Sequence, residues 1–486
     1  MAPAGKACCQ RGPGFSSPLA AMKGPREKIL YIPCIQPDPE GRKKGDYLAT
    51  IDIDVDSPTY CKVIHRTYMK YPGDEVHHSG WNVCSSCNDD ENKTRDKMVL
   101  PCLNSDRVYI VDMSNDPKAP KLCKVIEPSE MHAWGMSTPH TSHCLPSGEI
   151  MLSTMGDGTE KDEGKGDFLL IDAHTLEVKG RWRSENSKPA KFGYDFWYQP
   201  YFDVMVSTEW GTPRIFKTGF DPKDAYDQSV YGRSLNIWSW KKRELLQTID
   251  LGEDGVAPLE VRFAHDPKKD YGYVGCALNA VVYQFFRKED GTWDARQVIK
   301  IPKKKVEGWV MPEMAGMMTD IIMSLDDRYL YFSNWLHGDV RQYDITDPSN
   351  PRLVGQIFLG GSILEGGPVK VVSDPELKEQ PKPVTVMGRR LYGAPQMLQL
   401  SLDGTRLYIT SSLFSPWDKQ FYPEMVKHGS TLVRVDVDTV NGGLKLDEKF
   451  LVDFGLEPDG PMLAHEVRYP GGDCTSDIWL AETSEQ

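Results

Sequence analysis

The chain has no apolar run near the roughly 20 residues that cross a bilayer. Its first 24 residues also lack the apolar stretch of a secretory leader. The expectation is a soluble protein without a transmembrane segment, with the cytosol as its default place. Glycine-rich phosphate cradles, dinucleotide fingerprints and serine nucleophile elbows are missing too. Gly360-Gly-Ser-Ile-Leu-Glu-Gly-Gly367 is glycine-rich but runs into Pro368, not into a helix. Positive charge is scarce: 57 Lys and Arg face 70 Asp and Glu, for a net charge of −13. That argues against a broad basic face for nucleic acid and leaves room only for a local patch; Lys241-Lys-Arg243 and Lys303-Lys-Lys305 read as solvated turns or strand edges. The 11 cysteines are an odd number, which points to free thiols in a reducing compartment, not to a disulfide framework.

What is abundant is turn chemistry, with 42 Gly and 35 Pro, and strand-forming residues between the turns. Thr319 to Ser333 and Met397 to Thr410 each read as apolar strand, polar turn, apolar strand. Weaker copies align on them, with first strands opening near His78, His140, Tyr194, Glu260, Thr319, Gln396 and His465. Third strands recur as alternating segments such as Arg107–Asp112, Phe168–Asp172 and Val340–Asp344. Four strands per unit predict an all-β fold, a seven-bladed β-propeller. The last unit shows strands at His465 and at Ser476 to Leu480, and the N-terminal segment shows strands at Tyr47 to Ile53 and Cys61 to His65. Pairing these N-terminal strands with the C-terminal ones closes the ring and removes the open edges. The expected organisation is a flexible tail over 1–24, then one domain over 25–486 with a long exposed loop at 361–390.

Inner strands of such a ring run parallel, so their opening residues gather at one mouth. That mouth holds His78, His140, Tyr194, Glu260, Thr319, Gln396 and His465. His77 stands beside His78, and the loop after the second strand of the unit opening at Thr319 adds His337. Three or four imidazoles with a carboxylate suit copper, iron, nickel or zinc, and the other ring members would orient them. Trp81, Tyr194, Trp210 and Trp335 lie near the same mouth and read as core packing first, or as the walls of a small apolar pocket. Cys84-Ser-Ser-Cys87 is a lone CxxC that reads as a soft-ligand pair or equally as two reduced surface thiols. Cys61, on an alternating strand, reads as a buried small residue.

Several long segments resemble the selenium-binding protein family, also called the methanethiol oxidase family. They include His77-His-Ser-Gly-Trp-Asn82, Cys84-Ser-Ser-Cys87, His140-Thr-Ser-His-Cys144, Phe332-Ser-Asn-Trp-Leu-His-Gly-Asp339, Trp417-Asp-Lys-Gln-Phe-Tyr-Pro423 and Arg468-Tyr-Pro-Gly-Gly-Asp-Cys474. The resemblance covers nearly the whole chain. It implies copper-dependent oxidation of a small thiol: methanethiol, oxygen and water give formaldehyde, hydrogen sulfide and hydrogen peroxide. It also implies selenium binding, with Cys61, Cys84 and Cys87 as candidates. A mainly cytosolic location is implied, with nuclear and peripheral membrane association in some members. The ligand set expected is His77, His78, His140, His337 and His465, with Glu260 as a further ligand or base. A binding scaffold, or a selenium or thiol carrier acting through cysteines, stays open beside the enzyme.

Overall fold

The computed structural model describes residues 12–481. Among them are seven four-stranded antiparallel sheets, a smaller three-stranded sheet and a two-residue hairpin pair. The fold is all-β, as a propeller requires. No helix among the described residues is long and apolar enough to cross a membrane.

Six of the seven sheets take consecutive strands, innermost first. Sheet 2 opens with Gly80–Trp81, sheet 3 with Ser137–Cys144, sheet 4 with Phe196–Gln199, sheet 5 with Pro258–Phe263, sheet 6 with Met318–Met323 and sheet 7 with Leu398–Leu400. Inner and middle strands are buried along their length, because neighbouring sheets cover both of their faces. Outermost strands such as Glu244–Asp250 and Arg352–Phe358 mix exposed and half-buried positions, as one wet face demands.

Sheet 1 joins the two ends of the chain. Leu463–Ala464 lies innermost, followed by Ile29–Ile35, Tyr47–Asp52 and Lys62–Tyr68. The expected pairing of the termini is therefore present with a different second strand. Ile29–Ile35 is apolar throughout and wholly buried; its internal Pro33 hides it as a strand in sequence. Ser476 to Leu480 is not a strand. Asp473 accepts from the backbone of Thr475 and Ser476 and turns the chain there instead.

Of the segment expected as a flexible tail, residues 1–11 lie outside the described residues. From Gly12 onward the chain is packed. Ser17 caps the short helix Pro18–Ala21, Ala21 is fully buried, and the Trp479 indole donates to the Phe15 carbonyl. The 361–390 segment is also more ordered than a plain loop. Lys370–Ser373 pairs with Lys304–Glu307, and Thr385–Val386 pairs with Arg389–Arg390. Ile363, Val369 and Val386 are buried beneath it.

Candidate metal centre

Four of the five expected histidines meet in one buried cluster. His77 stacks on His465 with ring centres 3.8 Å apart, and His78 packs against His140 at 4.0 Å. His77, His78 and His465 each offer a ring nitrogen within 4.8 Å of the other two. All four rings are buried.

Backbone irregularities aim these side chains. In sheet 3, Pro139 pairs with Thr154 and Ser142 with Leu152, so His140 and Thr141 together oppose Ser153. That is a β-bulge, which re-aims a side chain out of strict alternation. The same two-against-one count falls at Leu259–Glu260 in sheet 5 and at Thr319 in sheet 6. In sheet 1, Cys34 pairs with Ala464 but Tyr31 with Arg468, leaving one extra residue on the strand that carries His465.

Three of the four imidazoles are held from one side, while His77 is held by stacking on His465. His78 Nδ1 lies 3.1 Å from Glu466 Oε1, and His465 Nδ1 donates to the Ser412 carbonyl at 2.8 Å. His140 Nδ1 lies 3.0 Å from the Thr141 hydroxyl. The opposite nitrogens, Nε2 of His78, His140 and His465, have no hydrogen-bond partner among the described residues, and neither has Nδ1 of His77. A buried ring nitrogen with nothing to bond is costly, and here there are four. Burial drives His77 and His140 far below the ordinary imidazole value and His465 down to about 3. Imidazoles with free lone pairs are what a transition metal requires, and His77, His78 and His465 are spaced to hold one metal ion, with His140 packed against His78.

Glu466, not anticipated from sequence, organises this cluster. It accepts from Ser79 N at 2.5 Å, from Ser79 Oγ at 2.7 Å and from Arg468 Nη2 at 2.6 Å, besides facing His78. Although burial opposes ionisation, Arg468 and the other donors hold its carboxyl far below the usual range. Glu260 behaves oppositely. Its Oε2 accepts from Arg262 at 2.7 Å, while Oε1 stands 3.8 Å from His78 Nε2 with no hydrogen bond of its own. Burial, with Asp195 nearby, pushes its carboxyl well above the ordinary value.

His337 is not part of this centre. After Tyr329–Asn334 a tight turn, closed by Gly338 N to the Asn334 carbonyl at 2.7 Å, carries it away. His337 Nε2 instead lies 3.1 Å from the Met314 carbonyl, beneath the three-stranded sheet. Trp335 leaves too, packing on Phe421 and Tyr422, and Trp81 packs edge-on to Tyr31.

Tyr194 and Trp210 do line a pocket, with His77, His140, Leu103, Met155, Phe216, Leu413, Phe414 and Trp417. It encloses about 30 Å³. A water needs roughly 10–15 Å³ on the same measure, so the space suits a molecule of about two heavy atoms. Its roof is Ser411 to Phe421, a segment sequence reasoning did not assign to the site. The roof is pinned from outside by Glu75 and braced within itself by Asp418. Glu75, two residues before His77, accepts from Ser415 N at 2.8 Å and from Ser415 Oγ at 2.5 Å. Asp418 accepts from Ser412 Oγ at 2.6 Å and Leu413 N at 3.0 Å.

Burial raises the Asp418 carboxyl to about 7. Between pH about 4, where an unfolded aspartate ionises, and pH 7, the folded chain holds a proton that the unfolded chain has lost. This carboxyl's contribution therefore falls as pH rises through that window. Asp418→Asn should accordingly gain stability relative to the native chain between pH 5 and pH 8, measured as urea midpoints at both. A difference that stays constant, or turns against the variant, would contradict the assignment.

The cysteines lie elsewhere. Cys61 is half-buried at the start of an outer strand of sheet 1, next to Arg434 and Tyr60. Cys84 and Cys87 are buried in the loop after Gly80–Trp81, not at the surface. The expected selenium candidates are therefore two separate places.

Comparison with known proteins agrees with this architecture. Residues 9–480 match the model of the 56 kDa selenium-binding protein family. A Xenopus laevis protein named methanethiol oxidase is 60% identical over 475 residues, covering 97% of this chain and 99% of its own. The human protein of that name is 58% identical with the same coverage. A hypothetical selenium-binding protein from Sulfolobus tokodaii superposes with a TM-score of 0.84 at 35% identity, over 96% of this chain and 99% of its own. The chain belongs to the 56 kDa selenium-binding protein family.

Proposed function

We propose that this protein is a copper-dependent methanethiol oxidase, built as a single seven-bladed propeller whose sheet 1 closes the ring. Sheets 2 and 3 touch through their inner strands, as do sheets 4, 5, 6 and 7 in turn, and sheet 1 contacts both sheet 7 and sheet 2. Between sheets 3 and 4 the Tyr198 hydroxyl donates to the Cys144 carbonyl at 2.5 Å. Those contacts support closure.

The single observation that carries the functional reading is the set of four buried imidazoles, each with a ring nitrogen that has no hydrogen-bond partner among the described residues, beside a two-atom pocket. On this reading His78, His140 and His465, with His77, hold the copper. When bound, copper supplies a soft acid for the thiol sulfur and electron exchange with oxygen. The chain's own residues supply the rest. Glu466, Thr141 and the Ser412 carbonyl fix the ring orientations. The aromatic walls of Tyr194, Trp210, Phe414 and Trp417 exclude water and seat the methyl group. Glu260, carrying a proton beside His78, is the proton source at the ring and, once emptied, the acceptor. The reaction balances as methanethiol, oxygen and water to formaldehyde, hydrogen sulfide and hydrogen peroxide, with two electrons passing from carbon to oxygen. Selenium binding falls to the thiols, with Cys61 the most reachable of the three candidates.

Copper-loaded protein should consume one oxygen per sulfide and per formaldehyde released. Binding of methanethiol with no oxygen uptake would favour a carrier or scaffold instead. Pocket size also sets specificity. One extra methylene in a filled apolar pocket costs roughly 10–200-fold. Leu413→Ala should raise kcat/KM for ethanethiol relative to methanethiol about tenfold, and an unchanged ratio would place the substrate elsewhere.

A further inference from the structure

Three thiols meet far from the histidines. Cys144 ends the inner strand of sheet 3, four residues beyond His140, or roughly 13 Å along a strand. Its Sγ lies 2.6 Å from Cys84 Sγ, and it also hydrogen-bonds Cys87. The Ser86 hydroxyl touches all three sulfurs, at 3.2 Å from Cys84, 3.6 Å from Cys144 and 3.8 Å from Cys87. All three cysteines are free and buried.

A metal does not explain this geometry. Sulfurs about 2.3 Å from one ion stand about 3.8–4.0 Å apart, and Cys84 and Cys144 are much closer than that. They are about half an ångström from the ~2.05 Å of a disulfide bond. The three thiols are also unequal. Lys93 Nζ lies 3.5 Å from Cys87 Sγ and faces neither of the others. The hydrogen bond from Cys144, helped by Lys93 against burial, lowers the Cys87 thiol to about 6, whereas burial holds Cys144 well above its ordinary value. The hydrogen bond from Cys144 lowers Cys84 as well, against burial, but Lys93 faces only Cys87; Cys87 is therefore the better placed thiolate, next to a protonated Cys144 that already touches Cys84.

We propose that Cys84, Cys87 and Cys144 form a peroxide-reactive site whose oxidised state is a Cys84–Cys144 disulfide joining the loop of sheet 2 to the inner strand of sheet 3. Cys87 is the entry point, since it precedes the half-exposed Asn88 and lies under the half-exposed Lys93. Its thiolate attacks hydrogen peroxide; the O–O bond breaks, Cys87 becomes a sulfenic acid and hydroxide leaves. That hydroxide takes the Cys144 proton as water. Cys144 sulfur then attacks Cys87 sulfur, expels the second hydroxide and forms a Cys87–Cys144 disulfide. Cys84 gives its proton to that hydroxide and attacks Cys144, which frees Cys87 as thiolate. In sum, one peroxide and two thiols give one disulfide and two waters. The peroxide can be the product of the proposed oxidase or come from outside, so this inference stands apart from the copper assignment.

The test is to add one equivalent of hydrogen peroxide to the folded protein, block free thiols and map the cross-links by mass spectrometry. The expected result is a Cys84–Cys144 cross-link, reversed by dithiothreitol, with Cys87 still alkylated. Cys87→Ser should slow the peroxide reaction by about tenfold or more, while diamide still produces the cross-link. Cys144→Ser should leave a sulfenic acid on Cys87 that dimedone traps. The native map and the Cys87→Ser rate decide the matter even where Cys144→Ser folds poorly. Absence of the Cys84–Cys144 cross-link, an unchanged rate in Cys87→Ser, or dimedone on another cysteine would overturn the proposal.

Discussion

Replacing His140 and His465 together by alanine should abolish copper binding and methanethiol-dependent oxygen uptake while leaving the fold in place. Both rings are buried and both present Nε2 with no hydrogen-bond partner among the described residues. Loss of an outer partner of a metal ligand typically weakens binding about 10–100-fold, so losing two ligands should cost at least about 100-fold. The fold should tolerate the change better than a usual core truncation. Each ring leaves a cavity, but each also removes a buried nitrogen that has nothing to bond. Copper per chain and oxygen uptake read the first effect, and near-ultraviolet circular dichroism reads the second. Full uptake in the folded double variant would remove the histidines from the chemistry.

Glu466→Gln should produce the largest single loss of stability and a weaker metal site at once. The carboxylate takes four contacts, from Arg468, both donors of Ser79 and His78. Removing its charge leaves Arg468 buried with Asp473 as its remaining carboxylate partner, at 3.5 Å. Breaking a buried pair from one side costs about 3–5 kcal/mol. The amide also blurs the tautomer choice at His78, because it can present its NH₂ as well as its oxygen to Nδ1. Copper affinity should fall about 10–100-fold on that account. Urea unfolding and competition with a copper chelator separate the two effects. A variant as stable as the native chain, with unchanged affinity, would show that Glu466 is a bystander.

The repeat was legible because strand, turn and strand recur with apolar sides that must all be covered. The innermost position of each unit could be read from the residue opening its first strand. The bulges could not, since an extra residue at His140, Glu260 or Thr319 leaves no mark in a pattern of apolar positions. His337 was misplaced for a related reason. Its loop starts at the right end of its strand, but the turn at Gly338 sends it sideways. Glu466 escaped notice because strict alternation puts a neighbour of His465 on the opposite face, and the irregular ladder of sheet 1 cancels that rule. The roof over the pocket is a contact between residues some 340 apart in sequence, Glu75 and Ser415, and no local signal announces it. Cys144 stood within a quoted motif, yet its partners lie 60 residues away.

The central claim is that imidazoles, not thiols, hold the metal. X-ray absorption on copper-loaded protein tests it most directly. The account predicts nitrogen scatterers at about 2.0 Å with the outer-shell pattern of imidazole, lost in the His140→Ala/His465→Ala variant. Sulfur scatterers at about 2.3 Å, or a nitrogen shell that survives the double change, would contradict it.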